Sequence, residues 1–220
     1  MKRLIILFAG SMFLAACATS APKYEGVFVP KEYADKFQPV HDGAAKLRWI
    51  KEGVDFSKFN KVMVDYVVFA LAPDSEYKGI NADEMKELAD AASLAVVKGI
   101  QEKFPVVSEP GPDVVRIRPA IVDLKQSRPA ISVVTTVVPV GLGISLVKKG
   151  STGEWAGSGL TKAEALVMDS QTNEVIAAGY SDYSAKFTER FTKWGSLDEA
   201  FKYWGEQMAI TLTHLKEMKR

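Results

Sequence analysis

Several things are scarce in this 220-residue chain, and each scarcity closes off a class of protein. A single cysteine excludes an internal disulfide, a Cys-rich zinc site and an iron–sulfur cluster. The two histidines, His41 and His214, stand far apart and lack an H-E-x-x-H partner, so no cofactor or metal is expected. Charge of one sign is missing as well: 28 basic side chains face 27 acidic ones, net +1, and no broad basic face exists to read phosphates. Nucleic acid is therefore not an expected partner. Internal repeats and low-complexity runs are also lacking. What remains is 47% hydrophobic and 25% charged, the balance of a globular chain long enough for one well-packed domain.

The first residues carry an address. Met1-Lys2-Arg3 is a short basic region, and residues 4–13 (LIILFAGSMF) are apolar. Ten residues at about 1.5 Å each cannot cross a hydrocarbon core of about 30 Å, so the segment reads as a secretion signal. Leu14-Ala15-Ala16-Cys17 follows, placing the lone cysteine behind small residues. This resembles the lipobox of bacterial lipoproteins, which implies cleavage after residue 16 and acylation of Cys17. Loss of Lys2 and Arg3 would turn the net charge from +1 to −1, so acyl chains, not basic residues, would hold the mature chain on a membrane. Position 18 is Ala. By resemblance to enterobacterial lipoproteins that implies the outer membrane, with the domain facing the periplasm.

Residues 18–45 contain Pro22, Pro30, Pro39 and Gly26 without sustained periodicity. They read as a tether that partly packs on the domain, since Tyr24, Phe28, Tyr33 and Phe37 are too apolar for a free linker. Residues 61–71 (KVMVDYVVFAL) are β-branched and aromatic and read as a central strand. Asn81 and Glu84 form a capping box ahead of Met85, Leu88, Ala89, Ala92, Val96 and Ile100, which predicts an amphipathic helix ending before Pro105. Residues 114–124 predict a strand with Arg116 and Arg118 on one face, and Pro119 implies an edge or a bulge there. Residues 160–168 and 174–183 predict a hairpin around Asp169-Ser170-Gln171-Thr172-Asn173. A second capping box, Ser196 with Glu199, launches Leu197, Phe201, Trp204, Met208, Leu212 and Leu215 along one helix face. The order β–α–β–insertion–β–β–α predicts an α+β fold: an antiparallel or mixed sheet covered on one side by two helices. The expected layout is a signal peptide at 1–16, an acylated Cys17 and tether at 17–45, and one domain at 46–220.

Several segments resemble a bacterial lipoprotein family known only as domain of unknown function 3313. They are Gly53-Val-Asp-Phe-Ser-Lys-Phe59, Lys61-Val-Met-Val-Asp65, Glu109-Pro-Gly-Pro-Asp-Val-Val-Arg-Ile-Arg118, Val134-Thr-Thr-Val-Val-Pro-Val-Gly141, Asp169-Ser-Gln-Thr172 and Lys193-Trp-Gly195. The resemblance implies lipoprotein status and a single α+β domain; it brings no catalytic residues with it.

Candidate chemistry is thin. Ser145-Leu-Val-Lys148 matches S-x-x-K and Ser181-Asp182 follows it, but the K-T-G element of penicillin-recognising enzymes is absent, as is any G-x-S-x-G. Asp55, Asp65, Asp123 and Asp169 could form a carboxylate pair, but they occupy strand ends and turns, where Asp bonds locally. Arg116 and Arg118 are either a grip for an anionic ligand or a solvated sheet face. Residues 129–147 (PAISVVTTVVPVGLGISLV) carry no charge, yet Pro139, Gly141 and Gly143 interrupt them as a spanning helix. They are either a buried segment or an exposed apolar flap whose contact residues would include Val138, Pro139, Leu142 and nearby Trp155. The sequence as a whole predicts a non-enzymatic, outer-membrane-anchored periplasmic lipoprotein that binds an envelope protein, glycan or lipid. The alternative is a handler of lipid or another hydrophobic ligand through the 129–147 segment.

Overall fold

The computed structural model describes residues 24–41, 45–73, 75, 81–125, 159–184, 186, 188 and 195–217. Cys17, Val138, Pro139, Leu142, Ser145 and Trp155 lie outside the described residues. Seven strands are described: β1 (Gln38–Pro39), β2 (Leu47–Ile50), β3 (Lys61–Val64), β4 (Val68–Phe69), β5 (Val114–Lys125), β6 (Leu160–Asp169) and β7 (Val175–Ser184). Three α-helices accompany them: a single turn α1 (Lys31–Ala34), α2 (Ala82–Gln101) and α3 (Gly195–Glu217). The strands form one mixed sheet in the order β1-β2-β7-β6-β5-β3, with β4 also pairing with β5. β3 and β4 run parallel to β5, and the β5–β6, β6–β7, β7–β2 and β2–β1 pairs are antiparallel. The fold is the α+β class that the sequence pattern predicts.

Helix α2 forms as its cap and spacing dictate. Asn81 Oδ1 accepts from the Glu84 amide at 2.8 Å, Asp83 and Glu84 sit in the first turn, and Leu88, Ala89, Ala92, Val96 and Ile100 are buried. α3 buries Leu197, Phe201, Trp204, Leu212 and Leu215 on its matching stripe. Both stripes meet the same sheet face, where Val115 and Ile117 pack near Val96 and Ile100, and Ile121 and Leu124 near Phe201 and Trp204. Each such large side chain taken fully out of water contributes about 1.5–3 kcal/mol.

The two helices touch backbone to backbone. A Cβ on Gly99 would lie 2.4 Å from the Gly205 carbonyl carbon, and one on Gly205 would lie 2.8 Å from the Ala95 oxygen. This crossing leaves no room for a methyl group.

Residues 61–71 depart from the expected single central strand. The chain makes two short strands, β3 and β4, on the outer side of β5, and leaves the ladder at residues 65–67. The cause lies in the side chains of the break and of α2. Tyr66 donates its hydroxyl to Asp90 at 2.6 Å, the Val67 amide donates to Ser93 Oγ at 3.0 Å, and Asp65 turns its carboxylate toward Arg116. The same break accounts for Pro119. The strand containing it is central, neither at an edge nor bulged at that residue; the irregularity comes later, between Ile121 and Asp123. The carbonyls of Ile117 and Ile121 accept from Asp65 and Ala70, so Pro119, midway between them, faces the gap where no ladder bond is needed.

The predicted hairpin is present. Asp169 Oδ1 accepts from the amides of Gln171 and Thr172 at 3.0 and 3.2 Å, and Asn173 takes the left-handed conformation at φ 58° that closes the turn.

Helix propensity alone predicts that Gly205→Ala and Gly99→Ala each gain about 1 kcal/mol. The crossing reverses that sign. Each substitution is expected to cost about 1–3 kcal/mol through overpacking, read as a lower midpoint in urea with an unchanged slope.

Candidate functional site

On the sheet face away from α2 and α3, alternate residues of β6 read Lys162, Glu164, Leu166 and Met168. The last two pack with Val29, Ala34 and Ala178. Glu164, in the same row, is only 1% exposed. Its carboxylate is surrounded by donors from the N-terminal segment: the Val27 amide at 2.9 Å, the Phe28 amide at 2.8 Å, the Val29 amide and the Tyr24 hydroxyl. Three consecutive N–H groups can converge on one anion because the chain curls at Gly26, where a Cβ would meet the Val29 oxygen at 2.3 Å. Burial first, then the bond to Glu164, pushes the Tyr24 phenol well above its ordinary pKa, so it stays a donor. Tyr24 also stacks on Tyr180 at 4.2 Å and on Phe37 at 5.9 Å, and Tyr33 lies on Trp49 at 4.9 Å. The four aromatics singled out in the sequence thus cover the sheet.

Beside this clamp, Arg116 grips Asp65 through Nε and Nη2 at 2.8 and 2.9 Å and reaches Asn173 with Nη1 at 2.9 Å. Arg118 lies 3.0 Å from the same carboxylate and 6.0 Å from the centre of the Phe28 ring. The two arginines do share a face, as their spacing requires, and both face an internal carboxylate. Arg118 and Phe28 also border a shallow hollow with Tyr66 and Val68.

The four aspartates weighed as a pair are not brought together; each has its own partners. Asp55 caps the short turn at Phe56–Lys58 through the Ser57 amide at 2.9 Å. Asp123 accepts from Ser75 at 2.5 Å and from its neighbour Leu124 at 2.9 Å, and pairs with Lys162 at 2.7 Å. Asp169 pairs with Lys58 at 2.8 Å besides closing the hairpin. Among the described residues no group of three His, Cys, Asp or Glu side chains could hold a metal. His41 and His214 are both exposed.

A second hollow, near 360 Å³, lies at the end of the sheet where β5 finishes and β6 begins. Tyr24, Val27, Asp123, Lys125, Leu160 and Lys162 border it. The N-terminal segment therefore reaches the sheet at the same end as the two strand termini that flank residues 126–159.

Glu164 was missed by sequence reasoning. A signal existed: in T-K-A-E-A-L-V-M-D the row of Leu166 and Met168 continues to a carboxylate, and a charge in a buried row demands donors from elsewhere.

A family model described as protein of unknown function (DUF3313) matches residues 23–208. No curated protein matches the chain. Several solved structures are distant likenesses. A PelC dodecamer from Paraburkholderia phytofirmans is 7% identical, covering 70% of this chain and 96% of that one at a TM-score of 0.36. Protein XCC0632 from Xanthomonas campestris is 9% identical, covering 72% and 88% at 0.40. A candidate lipoprotein from Caulobacter crescentus CB15 is 6% identical, covering 75% and 95% at 0.38.

Glu164→Gln puts an amide N–H₂ among four donors, and hydrogen bonds to a charged acceptor are worth about 1.5–3 kcal/mol each. Because residues 24–37 can lift off while α2, α3 and the sheet stay packed, the expected result is local. Hydrogen exchange should show Val27, Phe28 and Val29 losing protection by at least about tenfold while the amides of β5 keep theirs. A second prediction concerns acid. Burial works to raise Asp123 and Asp169, but bonds from Lys162 and Ser75 and from Lys58 and the turn amides outweigh it. Both carboxyls are held below the ordinary 3.8. A folded pKa below the unfolded one means their stabilisation is complete well above that ordinary value and is lost as pH falls from there through the lowered folded pKa. The urea midpoint should drop as pH falls below about 4, and Asp169→Asn should make that drop shallower.

Proposed function

The chain belongs to the DUF3313 family, and from that premise we propose that it is a non-enzymatic lipoprotein module, acylated at Cys17 and held on the periplasmic face of the outer membrane. The observation that supports the reading is where the body of the fold begins. Glu164 fixes the segment from Tyr24 onward, so only residues 18–23 separate the lipid-bearing sulfur from the sheet. Seven Cα steps reach about 25 Å at most. A domain of about 200 residues is roughly 40 Å across, wider than its leash is long. The end of the sheet bearing Tyr24, Lys125 and Lys162 then faces the bilayer, and the opposite end, with Lys58 and Lys61, is offered to the periplasm. A module presented in one orientation suits binding of an envelope partner. The carboxylates that could have served catalysis are engaged in local bonds and ion pairs. Among the described residues no helix is long and apolar enough to cross a membrane.

The alternative, lipid handling by the uncharged 129–147 segment, gains one specific support. β5 ends at Lys125 and β6 begins at Leu160, and both residues border the hollow that Tyr24 also borders. The segment is thus launched from the end that the leash draws toward the membrane. Liposome binding by the non-acylated chain that disappears on Val138→Asp would favour this reading over the first.

In the native host, metabolic palmitate should label the protein, and Cys17→Ser should abolish both label and membrane retention. A lysine cross-linker confined to lipid headgroups should mark Lys125 and Lys162 at least about five times more than Lys58 and Lys61. Inserting sixty Gly/Ser residues after residue 20 should erase that preference, since a flexible linker spans about 5–6 Å × √n and at that length exceeds the width of the domain. Equal marking of the two ends in the unmodified protein rules out the short leash.

A further inference from the structure

The helix-facing side of β6 and β7 is floored by small side chains: Ala163 and Ala165 on β6, Ala177, Gly179 and Ser181 on β7. Helix α3 lays Phe201, Trp204, Met208 and Leu212 across them, yet a cavity of about 110 Å³ remains between helix and floor. Its lining is almost wholly apolar. Ser181 is occupied, accepting from Trp204 Nε1 at 3.2 Å, and the Thr211 hydroxyl is shut off from solvent with no hydrogen-bond partner. A trapped water needs two to four polar partners, and a site offering one stays dry.

We propose that this slot is a binding site for the end of an unbranched hydrocarbon chain carrying at most one hydrogen-bonding group. The occupant's chemistry follows from three features. The volume corresponds to about four water-sized groups, each near 30 Å³, which suits a short run of methylenes. The walls are Phe201, Met208, Leu212 and the alanine floor, so the ligand is apolar. The Thr211 hydroxyl supplies a single donor or acceptor, so a ligand with one polar atom gains a bond that a pure hydrocarbon does not. The lining runs out to Ala45 and Arg48 on the β2 side, the direction from which a chain enters. One detail argues that the slot is built for occupancy. Two residues after Thr211, Thr213 spends its hydroxyl on the Ala209 carbonyl at 2.9 Å, as helical threonines do, and Thr211 does not. The inference goes beyond the anchored-module reading and is independent of it, since the slot is walled by the helix-facing side chains of β6 and β7 and by α3, and involves no lipidated residue.

The test uses the purified full-length chain with benzene and 1-hexanol as probes, read by calorimetry and by thermal melting. Wild type should bind both with millimolar or better Kd and melt higher in their presence. Ala165→Leu, or Ala177→Val should that variant not fold, fills the slot. It should raise the melting temperature of the ligand-free protein and weaken both probes at least tenfold. Thr211→Val should leave benzene binding within about twofold and weaken 1-hexanol about fivefold. Absence of binding by wild type, or undiminished binding by the filled variant, overturns the proposal. Acylation at Cys17 affects none of these readings, so their failure leaves the anchor untouched and its failure leaves them untouched.

Discussion

A carboxylate in the middle of a strand, in the same row as the buried Leu166 and Met168, would be a severe defect if the sheet stood alone. Glu164 is instead the reason residues before the first long strand belong to the fold at all. Three backbone amides and a phenol satisfy it, and in exchange Val29 and Ala34 are carried onto the apolar part of the same face. The electrostatic and hydrophobic parts of this contact depend on each other. The aromatic cover excludes the water that would weaken the hydrogen bonds, and the bonds fix the curl at Gly26 that lets the aromatics reach the sheet. The orientation proposed for the domain on a membrane follows from that one attachment, because it fixes the chain from Tyr24 onward, with only residues 18–23 between it and Cys17 in the proposed leash.

The two faces of the sheet are therefore closed by different means. α2 and α3 cover one side with long apolar stripes joined at the Gly99–Gly205 crossing, a contact set by van der Waals geometry. The other side is closed by an irregular segment held by the Glu164 bonds and a small apolar and aromatic cluster, the kind of element that opens first in native-state fluctuations. Arg116 and Arg118 mark the boundary between the two regimes. Their shared Asp65 sits in the gap between β3 and β4, so one carboxylate lies where the parallel pairing is interrupted and offsets part of the positive charge that β5 presents there.

Much of this could be read from residue order. The N-cap at Asn81, the spacing of Leu88, Ala92 and Val96, the stripe from Leu197 to Leu215 and the turn at Asp169 all act within a few residues, and sequence displays such signals directly. What stayed hidden acts across more than a hundred positions or by absence. Glu164 meets donors 135 to 140 residues away. The break at 65–67 is made by Asp90 and Ser93 on a helix that follows it, so residues 61–71 look uninterrupted on their own. β1 and β2 are too short to show a period. Arg116 and Arg118 were visible as a pair on one face, but the carboxylate between them was not, since strand periodicity says nothing about what the neighbouring strand supplies.

The small residues of the interior are of two kinds, and only one kind is explained by packing. At Gly99 and Gly205 smallness is enforced, because any side chain collides with backbone within 3 Å. Ala163, Ala165 and Ala177 instead line the gap left under α3. A gap of about 110 Å³ costs the fold at most roughly 2.6 kcal/mol at ~24 cal/mol per Å³, the figure for a fully enclosed void, since this one opens at one side. Single substitutions at any of three positions would recover part of that, so stability alone does not account for the floor. An occupant does, since a ligand that fills the void restores the lost contacts whenever it is bound and leaves the weakness only in the empty protein.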